Sequence, residues 1–219
     1  MKRADIIDNY ADLPVGTYME IVRITRSELS DLDIQVKVIA LLTGIPEEDV
    51  LDLPIETYKR YVAAASFLGT PCPEGRMASS YKVGGFDLVP TEMGKLTAAQ
   101  YIDFQTLSPG GEAKTVELLS VFLVPRGKKY NNGYDIVEVQ KAIRDNLSVR
   151  DVITIAAFFF RSYATSIVSS LTSCKRMLRR MKNPAMKADL KKQMDEAEAM
   201  LQRLTDSLTD GDGSRTSTS

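Results

Sequence analysis

Residues 95–160 read KLTAAQYIDFQTLSPGGEAKTVELLSVFLVPRGKKYNNGYDIVEVQKAIRDNLSVRDVITIAAFFF, and the folding of this stretch decides the architecture. Thr97 and Gln100 have the spacing of a capping box. The Thr97 hydroxyl accepts from the Gln100 N–H, and the Gln100 side chain reaches back to the Thr97 N–H. Ala98, Tyr101, Ile102, Phe104 and Leu107 then give an amphipathic helix, stopped by Ser108-Pro109-Gly110-Gly111. A second helix is predicted from about Glu112 to Val124. Val116, Leu118, Leu119, Val121, Phe122 and Leu123 make it apolar nearly all round, which implies deep burial, and Pro125 ends it. Arg126 to Tyr134 (RGKKYNNGY) is a loop with an Asn-Gly turn. Asp135 with Glu138 opens a third helix to about Asn146, and Ser148 with Asp151 opens a fourth.

Toward the N-terminus, residues 1–11 form an irregular or short helical lead. Then a phrase occurs twice, forty residues apart: DLPVGTYMEIV at 12–22 and DLPIETYKRYV at 52–62. Each copy reads as a helix start, with Pro pre-organised for the first turn. Two readings stay open, convergent use of one helix-start phrase and a duplicated helical hairpin; two copies are too few for a solenoid. Between them Asp33 is expected to cap a helix carrying Ile34, Val36, Val38, Ile39, Leu41 and Leu42, with Gly44 as its stop. Pro46-Glu47-Glu48-Asp49 starts a short helix. The helix from Pro54 ends near Gly69. Thr70 to Gly75 (TPCPEG) is a stiff linker, and SSYKVGGFDLVP at 79–90 alternates around Gly84-Gly85 as a hairpin does.

In the C-terminal third, Ile153, Ala157, Phe160, Ala164, Ile167, Leu171, Cys174, Leu178 and Met181 recur at alternating spacings of four and three, a heptad seam. Asn183-Pro184 breaks it, and Leu190, Met194, Ala197, Leu201, Leu204 and Leu208 form a second seam. Two such helices make an antiparallel hairpin. The fold class expected is mainly α: a multi-helix globular domain with one small β-hairpin and a C-terminal antiparallel helical hairpin. The regions expected are 1–69, N-terminal helical; 70–95, linker and hairpin; 96–147, central helical; 148–209, long helical hairpin; and 210–219, a polar disordered tail.

Composition narrows the function. The 219 residues include 44% hydrophobic and 26% charged side chains, a net charge of −1, two cysteines and no histidine. The near-neutral charge gives no global pull toward nucleic acid or membrane. No run of eighteen apolar residues is present, so no membrane span is expected, and the N-terminus is not a secretory signal. Cys72 and Cys174 are expected to be reduced. Without histidine, Ser-His and Cys-His nucleophilic systems are excluded, and zinc would need cysteine sets that are missing. Gly84-Gly85 and Gly110-Gly111 match no phosphate loop, and Asp210-Gly211-Asp212-Gly213 lacks the last acidic ligand of a calcium loop. The expectation is therefore not an enzyme, with no catalytic residues, no metal and no cofactor.

Two groups of residues stand out as binding surfaces. The first is the loop with Arg126, Lys128, Lys129, Tyr130 and Tyr134. The second is the tip of the C-terminal hairpin, where Lys175, Arg176, Arg179, Arg180, Lys182, Lys187, Lys191 and Lys192 face one acid, Asp189, for a net charge of +7. No aromatic residue lies within this tip, so base stacking is unsupported.

The segments LTAAQYIDFQTL, LLSVFLVPRGKKYNNGYDIVEV and NLSVRDVITIAAFFF resemble a family of small helical proteins of tailed bacteriophages: tail assembly chaperones, baseplate-hub assembly proteins and virion structural proteins. The resemblance covers about residues 30–160. It rests on Leu96, Thr97, Gln100, Tyr101, Ile102 and Asp103, on Val124, Pro125, Lys128, Lys129 and Tyr130, and on Phe158 to Phe160. It implies a non-catalytic structural or assembly protein that binds other tail or virion proteins through helical surfaces, in the host cytoplasm during assembly, with retention in the virion open. Self-association into a homo-oligomer is compatible with the heptad seam. The alternative is a nucleic-acid-associated or regulatory protein acting through the basic tip.

Overall fold

In the computed structural model, residues 6–181, 183, 184 and 186–195 are described. The fold is mainly α with a small antiparallel sheet. The chain forms two compact units, divided between Ala157 and Phe158.

The first unit opens with four helices: α1 (Val15–Thr25), α2 (Asp31–Thr43), α3 (Glu47–Leu51) and α4 (Ile55–Ala64). Both copies of the repeated phrase start helices, Pro14 and Pro54 standing at the N-caps with nearly the same extended backbone. The cap of α2 is Ser30, whose Oγ accepts from the Asp33 N–H; Asp33 itself lies in the first turn, as a carboxylate at the positive end of the helix. Gly44 ends α2 at φ 70°, a conformation in which a Cβ costs energy. Helix α2 buries two faces. Val38 and Leu42 pack with Tyr10, Leu13 and Ile21 on one side; Val36 and Ile39 pack with Val50 and Tyr61 on the other.

The start of α8 (Val149–Arg180) is knitted to the first copy of the phrase. The Val15 N–H donates to the Leu147 carbonyl and the Val149 N–H to the Leu13 carbonyl, both at 2.9 Å. Val149 thereby joins the core beside Tyr10 and Leu13. The Tyr10 hydroxyl donates to the Thr70 carbonyl at 2.9 Å, tying down the turn that follows α4.

Strands β1 (Tyr81–Val83) and β2 (Phe86–Pro90) form the expected hairpin, with Gly84 and Gly85 at φ 52° and 86° in its turn. A third strand was not expected. The apolar run read as one helix from Glu112 to Val124 becomes a 3-10 segment (Ser108–Lys114), helix α6 (Thr115–Phe122) and strand β3 (Leu123–Pro125). β3 pairs antiparallel with the open edge of β2, Val89 opposite Val124. Pro125 can sit there because β3 is an edge strand in the order β1-β2-β3. Helices α5 (Ala98–Leu107) and α7 (Ile136–Asn146) complete the unit; α7 packs on α6 and α1.

Along α8 the heptad stripe is not buried as one seam. In the first unit Val152 and Ile155 are buried and Ile153 is exposed; in the second, Phe159 is buried while Phe160 is 44% exposed. Farther on, Leu171 is buried as expected. The backbone is non-helical at 181 and 183, after which helix α9 runs over residues 184–195, position 185 apart. Met194 on α9 is buried. Ala197, Leu201, Leu204, Leu208 and the tail 210–219 lie outside the described residues. The expectation that no segment is apolar enough for a membrane needs amending: α8 qualifies by length and composition, a test that the core helix of a soluble protein also passes.

Candidate functional site

The loop after β3 is built on that unexpected strand. At its root the Arg126 N–H donates to the Asp87 carbonyl at 2.8 Å, and the Arg126 guanidinium pairs with the Asp87 carboxylate, joining β3 to β2 by main chain and side chain. The guanidinium holds the Asp87 carboxyl below its ordinary range. Gly127, at φ 76°, turns the chain, and the Lys128 N–H closes the turn onto the Pro125 carbonyl at 3.0 Å.

A second turn follows at once. Asn131 adopts φ 53° and Gly133 φ 80°, and the Asn132 N–H donates to the Lys129 carbonyl at 2.9 Å. Asn tolerates the left-handed region better than other residues with a Cβ. The Tyr134 hydroxyl accepts from the Asn131 N–H at 3.3 Å, bracing the turn from within. The Tyr130 hydroxyl donates to Asp103 Oδ2 at 2.8 Å, fixing the loop to α5. Burial, and then the Asp103 carboxylate, push the Tyr130 phenol well above its ordinary value; burial raises Tyr134 as well. Both phenols are therefore neutral donors or acceptors throughout the physiological range.

Of the five loop residues singled out in the sequence, three make contacts within the chain. Arg126 pairs with Asp87, Tyr130 with Asp103, and Tyr134 with the loop backbone. Lys128 and Lys129 are exposed, and the Lys128 stem passes beside Gly133. The loop is a braced platform presenting two cations.

Gln100 holds up the helix that leads into this platform, in a way sequence spacing only half shows. Its backbone N–H donates to the Thr97 hydroxyl at 3.2 Å, and its Oε1 accepts from the Thr97 N–H at 3.1 Å, completing the capping box. Its Nε2 donates to the Val121 carbonyl at 2.8 Å in a buried setting. In a continuing helix that carbonyl would receive the N–H of residue 125. Residue 125 is proline, which has none, and Gln100 supplies the missing donor. The next carbonyl, that of Phe122, accepts from the Thr91 N–H at 2.8 Å.

In the second unit, Arg176, Arg179 and Arg180 on α8 and Lys187, Lys191 and Lys192 on α9 are exposed; Lys182 lies outside the described residues. Among the described residues the acid on this stretch of α9 before Asp195 is Asp189, which accepts a long contact from Gln193. Both cysteines are free thiols. Among the described residues, no cluster of three His, Cys, Asp or Glu side chains could hold a metal ion.

Two surfaces were not singled out in the sequence. A cleft of about 650 Å³ lies between α1, α2 and the turn into α3. Ile24, Leu29, Leu41 and Ile45 give it an apolar lining, and the ion pairs Arg23–Glu20 and Lys37–Glu47 stand at it. The α3–α4 corner exposes Leu51 and Ile55. Neither has a motif; each arises where helices of ordinary amphipathic pattern meet at an angle that leaves apolar side chains uncovered. Compared with known proteins, the chain matches no family model, no curated protein and no solved structure.

Proposed function

We propose that this chain is a non-catalytic structural or assembly protein of a tailed bacteriophage, binding other tail or virion proteins through its helical surfaces and the loop at 126–134. The observation that supports this reading most directly is the bracing of that loop. A loop cross-tied to β2 and α5, with Lys128 and Lys129 turned outward, loses little conformational entropy when a partner docks on it. The phrase resemblance to phage assembly proteins, which includes this loop, points the same way.

Co-purification of the tagged chain from infected host cells, with mass spectrometry of its partners and of finished particles, tests the reading. Recovery of a tail or virion protein supports it, and loss of that partner in a Lys128→Glu, Lys129→Glu variant places the contact on the loop. Recovery of nucleic acid and no phage protein overturns it. That second outcome belongs to the alternative reading, a nucleic-acid-associated protein, favoured by the exposed cations of α8 and α9. It requires binding that weakens steeply with salt.

A further inference from the structure

We propose that copies of this chain associate head to tail, the basic end of α8 and α9 in one copy seating on the acidic α3–α4 corner of the next. Leu51 closes α3 and Ile55 opens α4, and their side chains are 68% and 62% exposed. Single exposed apolar side chains are ordinary. Here two stand on one tight connection, in a segment, residues 47–56, whose charged side chains are all acidic. Glu47, Glu48, Asp49, Asp52 and Glu56 are all exposed, and residues 47–56 contain no cation. Lys37 pairs with Glu47 at 2.7 Å and Lys59 with Glu56 at 3.6 Å, whereas Glu48, Asp49 and Asp52 take no ion pair among the described residues.

A segment of the second unit, residues 176–192, carries the opposite pattern. Met177 and Met186 are 55% and 59% exposed. They stand among the exposed cations Arg176, Arg179 and Arg180 of α8 and Lys187, Lys191 and Lys192 of α9. Methionine is unbranched and polarizable, and it adapts to the surface it meets. An exposed leucine and isoleucine on a segment of carboxylates, and exposed methionines on a segment of guanidinium and ammonium groups, have the make-up of two halves of one interface. Apolar contact forms its centre and opposite charges meet at its rim.

Because the two surfaces differ, the contact is heterologous. Every copy in an assembly keeps one surface of each kind on offer, so growth leads to a ring or an open chain rather than stopping at a two-fold dimer. The rim charges are screened over about 8 Å at physiological ionic strength, so assembly weakens as salt is added. This self-association is independent of any tail or virion partner, and the two fail separately.

Sedimentation velocity of the full chain over a concentration and salt series reads it out. At low salt the mass is expected to rise with concentration to at least twice that of one chain, and to fall back as salt is raised. Two variants sharpen the test: Arg176→Glu with Arg179→Glu and Arg180→Glu at the tip, and Glu48→Lys with Asp49→Lys and Asp52→Lys at the corner. All six positions are exposed, and an unchanged far-ultraviolet circular dichroism spectrum verifies folding. The tip variant lowers the tip charge from +7 to +1 and the corner variant turns the corner from −5 to +1, so each alone is expected to stay single, while a mixture brings the unaltered tip of one variant to the unaltered corner of the other and is expected to associate. A chain that stays single at every concentration and salt overturns the proposal. So does association indifferent to both reversals, which would place the contact on the apolar stripe of α8, and so does a tip that binds duplex DNA without self-association.

Discussion

The phenolic hydroxyl of Tyr130 donates to the carboxylate of Asp103 at 2.8 Å, joining the loop after β3 to the middle of α5. Asp103 lies in a helix whose cap is legible three residues at a time; Tyr130 lies in a loop whose root depends on a strand. Their bond exists only because Gln100 and β3 bring the two elements together.

Replacing Tyr130 by Phe keeps the ring and removes the donor. A part-buried hydrogen bond to a carboxylate is worth about 1–2 kcal/mol, so the urea midpoint is expected to fall with an unchanged slope. Amide hydrogen exchange at Asn131 to Gly133 is expected to quicken more than exchange in α2. Equal protection of the loop in both proteins would mean that the bond does not brace it.

The same residue sets an alkaline limit. Burial and Asp103 raise the Tyr130 phenol above the ordinary value of 10.0, and Tyr10, Tyr81 and Tyr134 are raised by burial too. Above that ordinary value the unfolded chain releases protons that the folded chain keeps. Stability is therefore full below about pH 10 and declines as pH rises toward the folded-state values. Denaturant melts at stepped pH should show this decline, with a shallower slope in Tyr130→Phe.

Gln100→Leu fills the same space with an apolar side chain. It removes one arm of the capping box and leaves the buried Val121 carbonyl without its donor. An unsatisfied buried acceptor and a weakened cap together cost about 2–4 kcal/mol. Gln105→Leu, at an exposed position of the same helix, is the control and should stay within about 0.5 kcal/mol. Equal effects of the two would assign no special role to the Gln100–Val121 bond.

The hairpin turn separates two kinds of glycine. A Cβ on Gly84 would meet the Ala142 Cβ at 2.7 Å, at a backbone φ of 52°; a Cβ on Gly85 meets nothing, though its φ is 86°. Gly85→Ala carries backbone strain alone, about 1–2 kcal/mol. Gly84→Ala adds a clash with α7, so its melting temperature should drop clearly further. The reverse order would mean that α7 does not pack against this turn.

In the second unit, Leu171→Ala opens a buried site and is expected to cost about 2–5 kcal/mol. Met177→Ala, on the exposed side, is expected to be nearly neutral in stability. Helical signal followed by circular dichroism during heating compares them, and equal melting would place Leu171 in solvent.

The starts and stops of the helices could be read from the chain because they are local. Thr97 with Gln100, Asp135 with the Val137 N–H, and Ser148 with the Asp151 N–H each join residues two or three apart. Gly44 ends α2 through its own backbone angle. The composition of 79–90 likewise specified a hairpin around two glycines. The candidate binding surfaces were legible only as charge: the cations of the 126–134 loop and of the tip are exposed where described, but nothing in their spacing told that Arg126 would pair with Asp87 and Tyr130 with Asp103.

What the tertiary structure alone decided is where equally apolar segments go. Leu123 and Val124 follow a helical run and are as suited to a helix as the residues before them. They become a strand because β2 offers an unpaired edge, and because Pro125 already deprives the helix of its next hydrogen bond. The α8 stripe has the regular spacing of a seam, yet spacing names two faces and cannot choose between them. Packing chose Val152, Ile155 and Phe159 and left Ile153 and Phe160 in solvent. Local hydrogen bonds are encoded within a few residues. The burial of a side chain is settled by whichever surface the rest of the chain brings to it, and hydrophobic attraction, having no direction, leaves no mark of that choice in the sequence.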